Sequence, residues 1–371
     1  VPIAFIGKTR NDGVIHVVYK DIEIVTFNLK DVLEPDVLPI KKIKVNSESN
    51  SECIYDFKYG DEEPLECGNV FETLMKVLND PAVGSKRYLV HKVDRSVTGL
   101  VAKQQCTGPW NTPLNDYSIN AMSYESNKGI ATSFGERPII GLFDIEAMIS
   151  MSVGEMLTNL IFSGVHFEDI KCQVNWMWSA KLKGHDYLLH LAVSRLRTLL
   201  KELDIGIDGG KDSLSMNCQV KGETIISPNS TIIKSYAPLN NIYDSIEPYF
   251  KAPGNNIIFI DLGNTVKRLG GSIYNTLTKV NGLTCPTFNH KNIKRLYSFI
   301  HNRLHNERDI VSGHDISDGG FITTLIEMSI SSFYGFDVSI HNINNNVNDF
   351  LFSEELGIIL ETSVHSTIIE D

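Results

Sequence analysis

The chain has 371 residues, 42% apolar and 21% charged, with a formal net charge of −11; this is long enough for two or three domains and has the composition of a soluble globular protein. No apolar run approaches the roughly 20 residues that span a bilayer, and the opening VPIAFIGKTRNDG has neither a basic n-region nor a cleavage site, so no membrane contact and a cytoplasmic location are expected. The negative charge argues against a nucleic-acid partner, which needs a basic face, but is compatible with a nucleotide held through a metal ion.

Residues 1 to 45 alternate strand-like runs (Ile3 to Ile6, His16 to Tyr19) with turn signals such as Asn11-Asp12-Gly13, and read as the end of a domain. Residues 46 to 69, polar and acidic with little periodicity, read as a linker. A second body runs from about Val70 to Pro238, with strands expected at Thr98 to Gln105, Tyr117 to Met122 and Ile139 to Leu142 and helices at Asp144 to Ser163 and Asp186 to Leu203. A third begins near Pro253-Gly254, where Asn256 to Leu262 reads as a buried strand. The whole is α/β. The six cysteines (Cys53, Cys67, Cys106, Cys172, Cys218, Cys285) contain no CxxC pair, which excludes a zinc site of the usual spacing and leaves reduced, mostly buried thiols as the expected state.

Three segments carry chemistry. The helix from Asp144 is apolar nearly all round, and at 100° per residue Glu155 and Asn159 share one stripe. A buried carboxylate and amide need partners: either a nearby arginine or loop, or a hard cation such as Mg²⁺. Gly209-Gly210-Lys211-Asp212-Ser213 falls short of a Walker A loop because Asp212 separates lysine from serine; it reads as a glycine turn whose Lys211 either touches phosphate or is solvated. His314 to Gly320 (HDISDGG), between an apolar run and an amphipathic stretch, has the layout of strand, turn and helix start. Such a turn aims N–H groups at phosphate, and Asp315 and Asp318 then call for an intervening divalent cation. An ordinary cap by Ser317 or Asp318 fits the same pattern. The basic residues Lys86, Arg87, Lys92, Arg95 and Lys103 suit a polyanion or a solvated strand face equally. His91, His166, His185, His190 and His290 show no metal or triad spacing.

In order along the chain, DRSVTGLVAKQQCTGPWNTPLND (94 to 116), SFGERP (133 to 138), DIEAMISMSVGEMLTNL (144 to 160), CQVNWMWSAKLKG (172 to 184), GIDGGKDSLSM (206 to 216), RLGGS (268 to 272), SGHDISDGG (312 to 320) and FSEELGIILE (352 to 361) closely resemble the synthetase region of the large formylglycinamide ribonucleotide amidotransferases, the phosphoribosylformylglycinamidine synthase family. The resemblance implies an α/β (α+β) fold of tandem aminoimidazole ribonucleotide synthetase-like A-type and B-type domains: residues 1–45 the tail of a preceding B-type domain, 46–69 the linker, 70–238 an A-type domain and 239–371 a shortened B-type domain. It implies an ATP-dependent ligase that makes the amidine of purine synthesis from formylglycinamide ribonucleotide and glutamine-derived ammonia. Carried over residue by residue, Lys86, the backbone near Asn115 and Ser317 would contact ATP or ADP, with Lys211 added from the glycine segment above, while Asp116, Glu155, Asn159 and Asp315 would hold Mg²⁺, in what is an auxiliary nucleotide site in such relatives. No catalytic residue is assigned. The first A-type domain and the glutaminase domain are absent from the sequence, so a fragment is expected, inactive alone and pairing with itself as a homodimer through residues 70–238; a non-catalytic nucleotide-binding scaffold is the alternative.

Overall fold

The computed structural model describes residues 2–33, 64, 69–93, 95, 99–263, 266–341, 346–366 and 368. The acidic segment read as a linker therefore lies outside the described residues, apart from Pro64 and Asn69. Residues 1–45 and 46–371 form separate compact units. In the first, β1 (Val14–Tyr19) and β2 (Ile22–Asn28) pair antiparallel across Lys20 and Asp21. Both turn residues have positive φ, 49° and 64°, the backbone of a tight hairpin turn whose twist matches its strands. A short helix, α1 (Leu29–Leu33), follows. The run Ile3 to Ile6, expected as a strand, is irregular and exposed, with no strand pairing among the described residues.

The second unit opens with α2 (Val70–Asn79), capped by the Asn69 side chain, and the single turn α3 (Arg87–Val90). Then come β3 (Val101–Lys103), β4 (Tyr117–Ala121), β5 (Gly129–Gly135), α4 (Ile145–Leu160), β6 (Lys171–Met177), α5 (His185–Leu203), β7 (Gly206–Ser213), the hairpin of β8 (Asn217–Val220) and β9 (Glu223–Ile226), and β10 (Ser230–Leu239). The sheet order is β3-β4-β5-β10-β6-β7, antiparallel except that β6 and β7 run parallel across the α5 crossover. Inward positions of β5 and β10 alternate strictly with outward ones, so one face of the sheet makes a core with α4 and α5. The remainder contains β11 (Asn256–Asp261), α6 (Ile273–Thr278), α7 (Ile293–Asn302), β12 (Ile310–Asp315), α8 (Gly320–Ser332), α9 (Val347–Phe352) and β13 (Gly357–Thr362), with the antiparallel order β11-β13-β12.

Helix α4 joins these parts. Asp144 caps it by accepting the Ala147 N–H at 2.9 Å. Among the described residues, Ile145–Ser163 is the one stretch long and apolar enough to cross a membrane, yet it is 89% buried inside the protein. A Cβ on Gly154 would collide with Leu356, and one on Gly313 would meet the Phe162 ring at 2.5 Å; the Tyr297 hydroxyl donates to the Leu157 carbonyl at 2.7 Å. The helix thus has the first sheet on one side and the second layer on the other.

Two sequence expectations change. Ile139 to Leu142, expected as a strand, is a 3-10 turn, because it lies over Met148 of α4, where a Cβ on Gly141 would press on the Met148 sulfur. Gly209-Gly210-Lys211 is no turn but the middle of β7, paired with Gln173 to Asn175. The close approach requires glycine at 210, where a Cβ would collide with the Val174 carbonyl.

Gly135 gives a test of the α4 docking, since a Cβ there would collide with the Ser152 carbonyl and the Met156 backbone. Gly135→Ala is expected to destabilise the protein by about 3 kcal/mol. Gly206→Ala, where the nearest atom lies 3.7 Å away, is expected to stay within about 1 kcal/mol. Urea denaturation of both variants checks the contrast.

Candidate functional site

Asp116 immediately precedes β4, while His314 and Asp315 end β12. Strand pairing to β13 fixes the latter two, with His314 opposite Ile359 and Asp315 opposite Ile358. His314 Nδ1 lies 2.8 Å from Asp116 Oδ1 and 3.6 Å from Asp315 Oδ1, and its Nε2 lies 3.1 Å from Glu327 Oε2. One ligand atom from each of Asp116, His314 and Asp315 falls within 4.8 Å of the others. Asp116 Oδ2 and Asp315 Oδ2 are buried with no hydrogen-bond partner. Burial pushes the Asp315 carboxyl well up, and the neighbouring Asp116 charge adds to the push. Burial works the other way on His314, but Asp116 and Glu327 outweigh it and hold the imidazole well above its ordinary range. A charged histidine therefore serves as internal counter-charge for a crowded carboxylate pair. Two inward carboxylate oxygens without partners fit a hard divalent cation, and His314 stands beside them as a counter-charge that the sequence reading passed over.

A second network sits beside the first. Arg137, 3% exposed, follows β5 and reaches Asp318 Oδ1 at 2.7 Å, Glu155 Oε1 at 3.1 Å and Glu354 Oε2 at 3.7 Å. It also donates to Ser317 Oγ at 3.1 Å. Glu155 accepts from the Glu136 N–H at 2.7 Å and the Ser317 hydroxyl at 2.9 Å. The turn ahead of α8 needs glycine twice, with φ of 85° at Gly319 and 76° at Gly320. Two of its donors are already engaged: the Gly319 N–H donates to Glu354 Oε1 at 2.9 Å and the Gly320 N–H to the Ser317 carbonyl at 3.1 Å. At Gly319 a carboxylate from the chain thus takes the place that the sequence reading gave to phosphate.

The expected ligands are thus divided. Asp116 and Asp315 meet at the cation cluster. Glu155 is instead the partner of Arg137, the arginine-paired option of the sequence reading, and touches the turn through Ser317. Asn159 donates to the Phe134 carbonyl at 2.8 Å; the β4–β5 register puts Phe134 one step beyond the Tyr117–Ser133 pair, level with Asp116. Lys86 Nζ donates to the carbonyls of Ala82 and Gly84 at 3.0 and 2.6 Å. It stands between a cavity of about 500 Å³, walled by Leu78, Val83, Leu114, Ile326 and Ile330 with Glu327 in its lining, and one of about 260 Å³ reaching Arg137, Asp318 and Glu354. The Asn115 N–H, expected near a nucleotide, donates to Gln105 at 3.1 Å, and its amide joins the carbonyls of Gln104 and Tyr117; Leu114 faces the cavity in its place. Lys211 is not brought to the site. It lies in β7, four strand spacings from β4, roughly 19 Å, and its Nζ donates to Ser213 Oγ. Arg137, His314, Glu327 and Glu354 escaped sequence reasoning. Arg137, His314 and Glu354 stand inside the segments SFGERP, SGHDISDGG and FSEELGIILE, but nothing in their spacing signals a shared site.

Residues 85–238 match the FGAR-AT PurM_N-like domain, and residues 253–366 match the AIR synthase related protein, C-terminal domain. The phosphoribosylformylglycinamidine synthase of Dictyostelium discoideum is 37% identical over 97% of this chain and 28% of that protein. The probable phosphoribosylformylglycinamidine synthase of Caenorhabditis elegans is 41% identical over 79% of this chain and 23% of that protein. The chain therefore spans about a quarter of the length of these relatives. The PurLQS structure from Thermotoga maritima superposes with a TM-score of 0.51 at 12% identity, covering 95% of this chain and 47% of that one, a likeness of fold. With matched segments covering both halves of the second unit, and relatives that agree in name, the chain belongs to the phosphoribosylformylglycinamidine synthase family.

Proposed function

We propose that this chain supplies a Mg²⁺-nucleotide site to an ATP-dependent ligase of purine synthesis, which converts formylglycinamide ribonucleotide, glutamine and ATP to the amidine, ADP, phosphate and glutamate. The observation that carries the reading is the pair of buried, partnerless oxygens on Asp116 and Asp315, next to a cavity of nucleotide-base size with Lys86 at its rim. Asp116 and Asp315 would hold the ion, whose charge offsets that of a bound phosphate. The apolar walls Leu78, Val83, Leu114, Ile326 and Ile330 take the base. Glu155 and Ser317, fixed by Arg137, shape the side facing the ion.

An auxiliary rather than catalytic role fits the electrostatics. Phosphoryl transfer needs cationic groups aimed at the transferring phosphoryl, whereas Arg137 is committed to three carboxylates and Lys86 to two carbonyls. The same commitment favours the alternative of a scaffold that holds a nucleotide without acting on it. In either case the chemistry belongs with a first A-type domain and a glutaminase domain as partners, in the cytoplasm. The A-type and B-type bodies are taken as 70–238 and 239–371. The sheet face bearing Ile130 (41% exposed) and Phe134 (52%) is the proposed pairing surface.

Three outcomes test these statements. Saturating Mg·ADP, at about 100 times its dissociation constant, is expected to stabilise the chain by about 2.7 kcal/mol, a shift of several degrees in a thermal melt. Asp315→Asn is expected to be at least as stable as the parent without ligand, because it relieves carboxylate repulsion, yet to gain nothing from Mg·ADP. A full ligand shift in that variant would remove Asp315 from the site.

Glu354, 2% exposed, is pushed up to about 8 by burial and by Asp318, against the pull of Arg137. The folded state then holds a proton that the unfolded chain releases near pH 4 to 5. Stability is complete below that range and falls, on the order of a few kcal/mol, as pH rises through 8. Glu354→Gln should flatten the fall in denaturation measured from pH 5 to 9, while an unchanged slope would assign it to other groups. Light scattering after size exclusion is expected to report a dimer, and Phe134→Glu a monomer of unchanged secondary structure.

A further inference from the structure

Glu327 is the one carboxylate in the lining of the cavity of about 500 Å³. It stands on α8, whose residues 323, 326, 327 and 330 recur at helical spacing along a single wall of that cavity. Its Oε2 lies 3.1 Å from His314 Nε2, and the other nitrogen of the same ring lies 2.8 Å from Asp116 Oδ1. Glu327 and the cation cluster are therefore one imidazole apart. Among the described residues Oε1 has no partner, and with the side chain 22% exposed it is open to the cavity. An ionised carboxylate only accepts hydrogen bonds, so this oxygen calls for donors that the described residues do not supply.

We propose, resting on the nucleotide reading above, that Glu327 holds the ribose of that ligand by accepting hydrogen bonds from its 2′ and 3′ hydroxyls, which makes the site selective for ribonucleotides over 2′-deoxyribonucleotides. Position along α8 selects the sugar rather than the base or the phosphates. The wall from Thr323 to Ile330 is about 10 Å of helix. At its first end the Thr323 hydroxyl donates to the Gly319 carbonyl at 3.0 Å, which places that end at the turn carrying Ser317 and Asp318. At its far end Ile330 is apolar and suits the base. Glu327 lies between them. In a nucleotide, likewise, the sugar stands between a metal-bound phosphate and the base, and a separation of one imidazole from Asp116 leaves room for the sugar but not for the base as well. The chemistry agrees with the position. A vicinal diol presents two donors to one carboxylate, as the acidic residue of dinucleotide-binding folds takes a ribose hydroxyl. A bare carboxylate would repel the phosphates, but the His314 imidazole at Oε2 offsets that charge.

The test is calorimetric titration of the whole chain with Mg·ADP and with Mg·2′-deoxy-ADP, repeated on Glu327→Gln and Glu327→Met. The parent is expected to bind the deoxynucleotide at least about tenfold more weakly, the loss of a hydrogen bond to a charged group that is then left unpaired. Glu327→Met, with no acceptor, is expected to weaken ADP by a similar factor and to bind the two nucleotides alike, and Glu327→Gln to discriminate far less than the parent. Because Glu327→Gln preserves the shape of the side chain, it decides the matter even if Glu327→Met fails to fold. Equal affinity of the parent for the two nucleotides, or discrimination kept in full by Glu327→Gln, would overturn the ribose assignment and leave the nucleotide site standing. Binding of neither nucleotide by the parent would instead remove the site itself, and the ribose assignment with it.

Discussion

Arg137 is the interaction on which the site depends. A guanidinium 3% exposed has to recover its lost hydration from fixed partners, and it recovers it from α4 through Glu155, from the turn before α8 through Ser317 and Asp318, and from the segment before β13 through Glu354. Three pieces of chain far apart in sequence are thereby held at one point. Removing any one carboxylate leaves a buried charge short of a partner, and the remaining groups cannot move to repair it, because Glu155 and Glu354 are themselves held by backbone N–H groups.

The contrast with the neighbouring cluster is instructive. Around Arg137 the carboxylates are satisfied by the protein itself. Around Asp116 and Asp315 they are satisfied only in part, with His314 supplying one positive charge against three acidic side chains once Glu327 is counted. A folded protein tolerates such an imbalance where something else completes it. The two clusters lie side by side because β12 and its following turn feed both: residues 314 and 315 turn to one, residues 317 and 318 to the other.

How far the sequence revealed this depended on the kind of signal. The burial of α4 was legible, because a helix apolar on every side has no solvent face to offer, and so was the difficulty of keeping Glu155 within it. Which partner resolved that difficulty was not legible: Arg137 lies 18 residues before Glu155 in a segment without periodicity, and only the packing of β5 against α4 brings them together. The glycines of β7 misled for a related reason. Gly-Gly-Lys ordinarily marks a turn, but Gly210 answers to the close approach of Val174 on the neighbouring strand, a tertiary demand with no local trace. His314 was adjacent to a residue already singled out, yet a lone histidine at a strand end has no pattern that distinguishes a counter-charge from core filling.

The position of α4 has a consequence for how the molecule can be divided. The two matched segments, 85–238 and 253–366, suggest separable modules. Yet the helix of the first is covered by Leu356 and Phe288, and its Leu157 carbonyl is taken by Tyr297, all from the second. A polypeptide ending after β10 would turn to water the apolar face of α4 that Leu356, Phe288 and Tyr297 cover, so such a truncation would be drawn toward chaperones or its own copies. The sequence boundary between the modules is therefore no boundary for folding: the second half acts as the solvent in which the central helix of the first is dissolved.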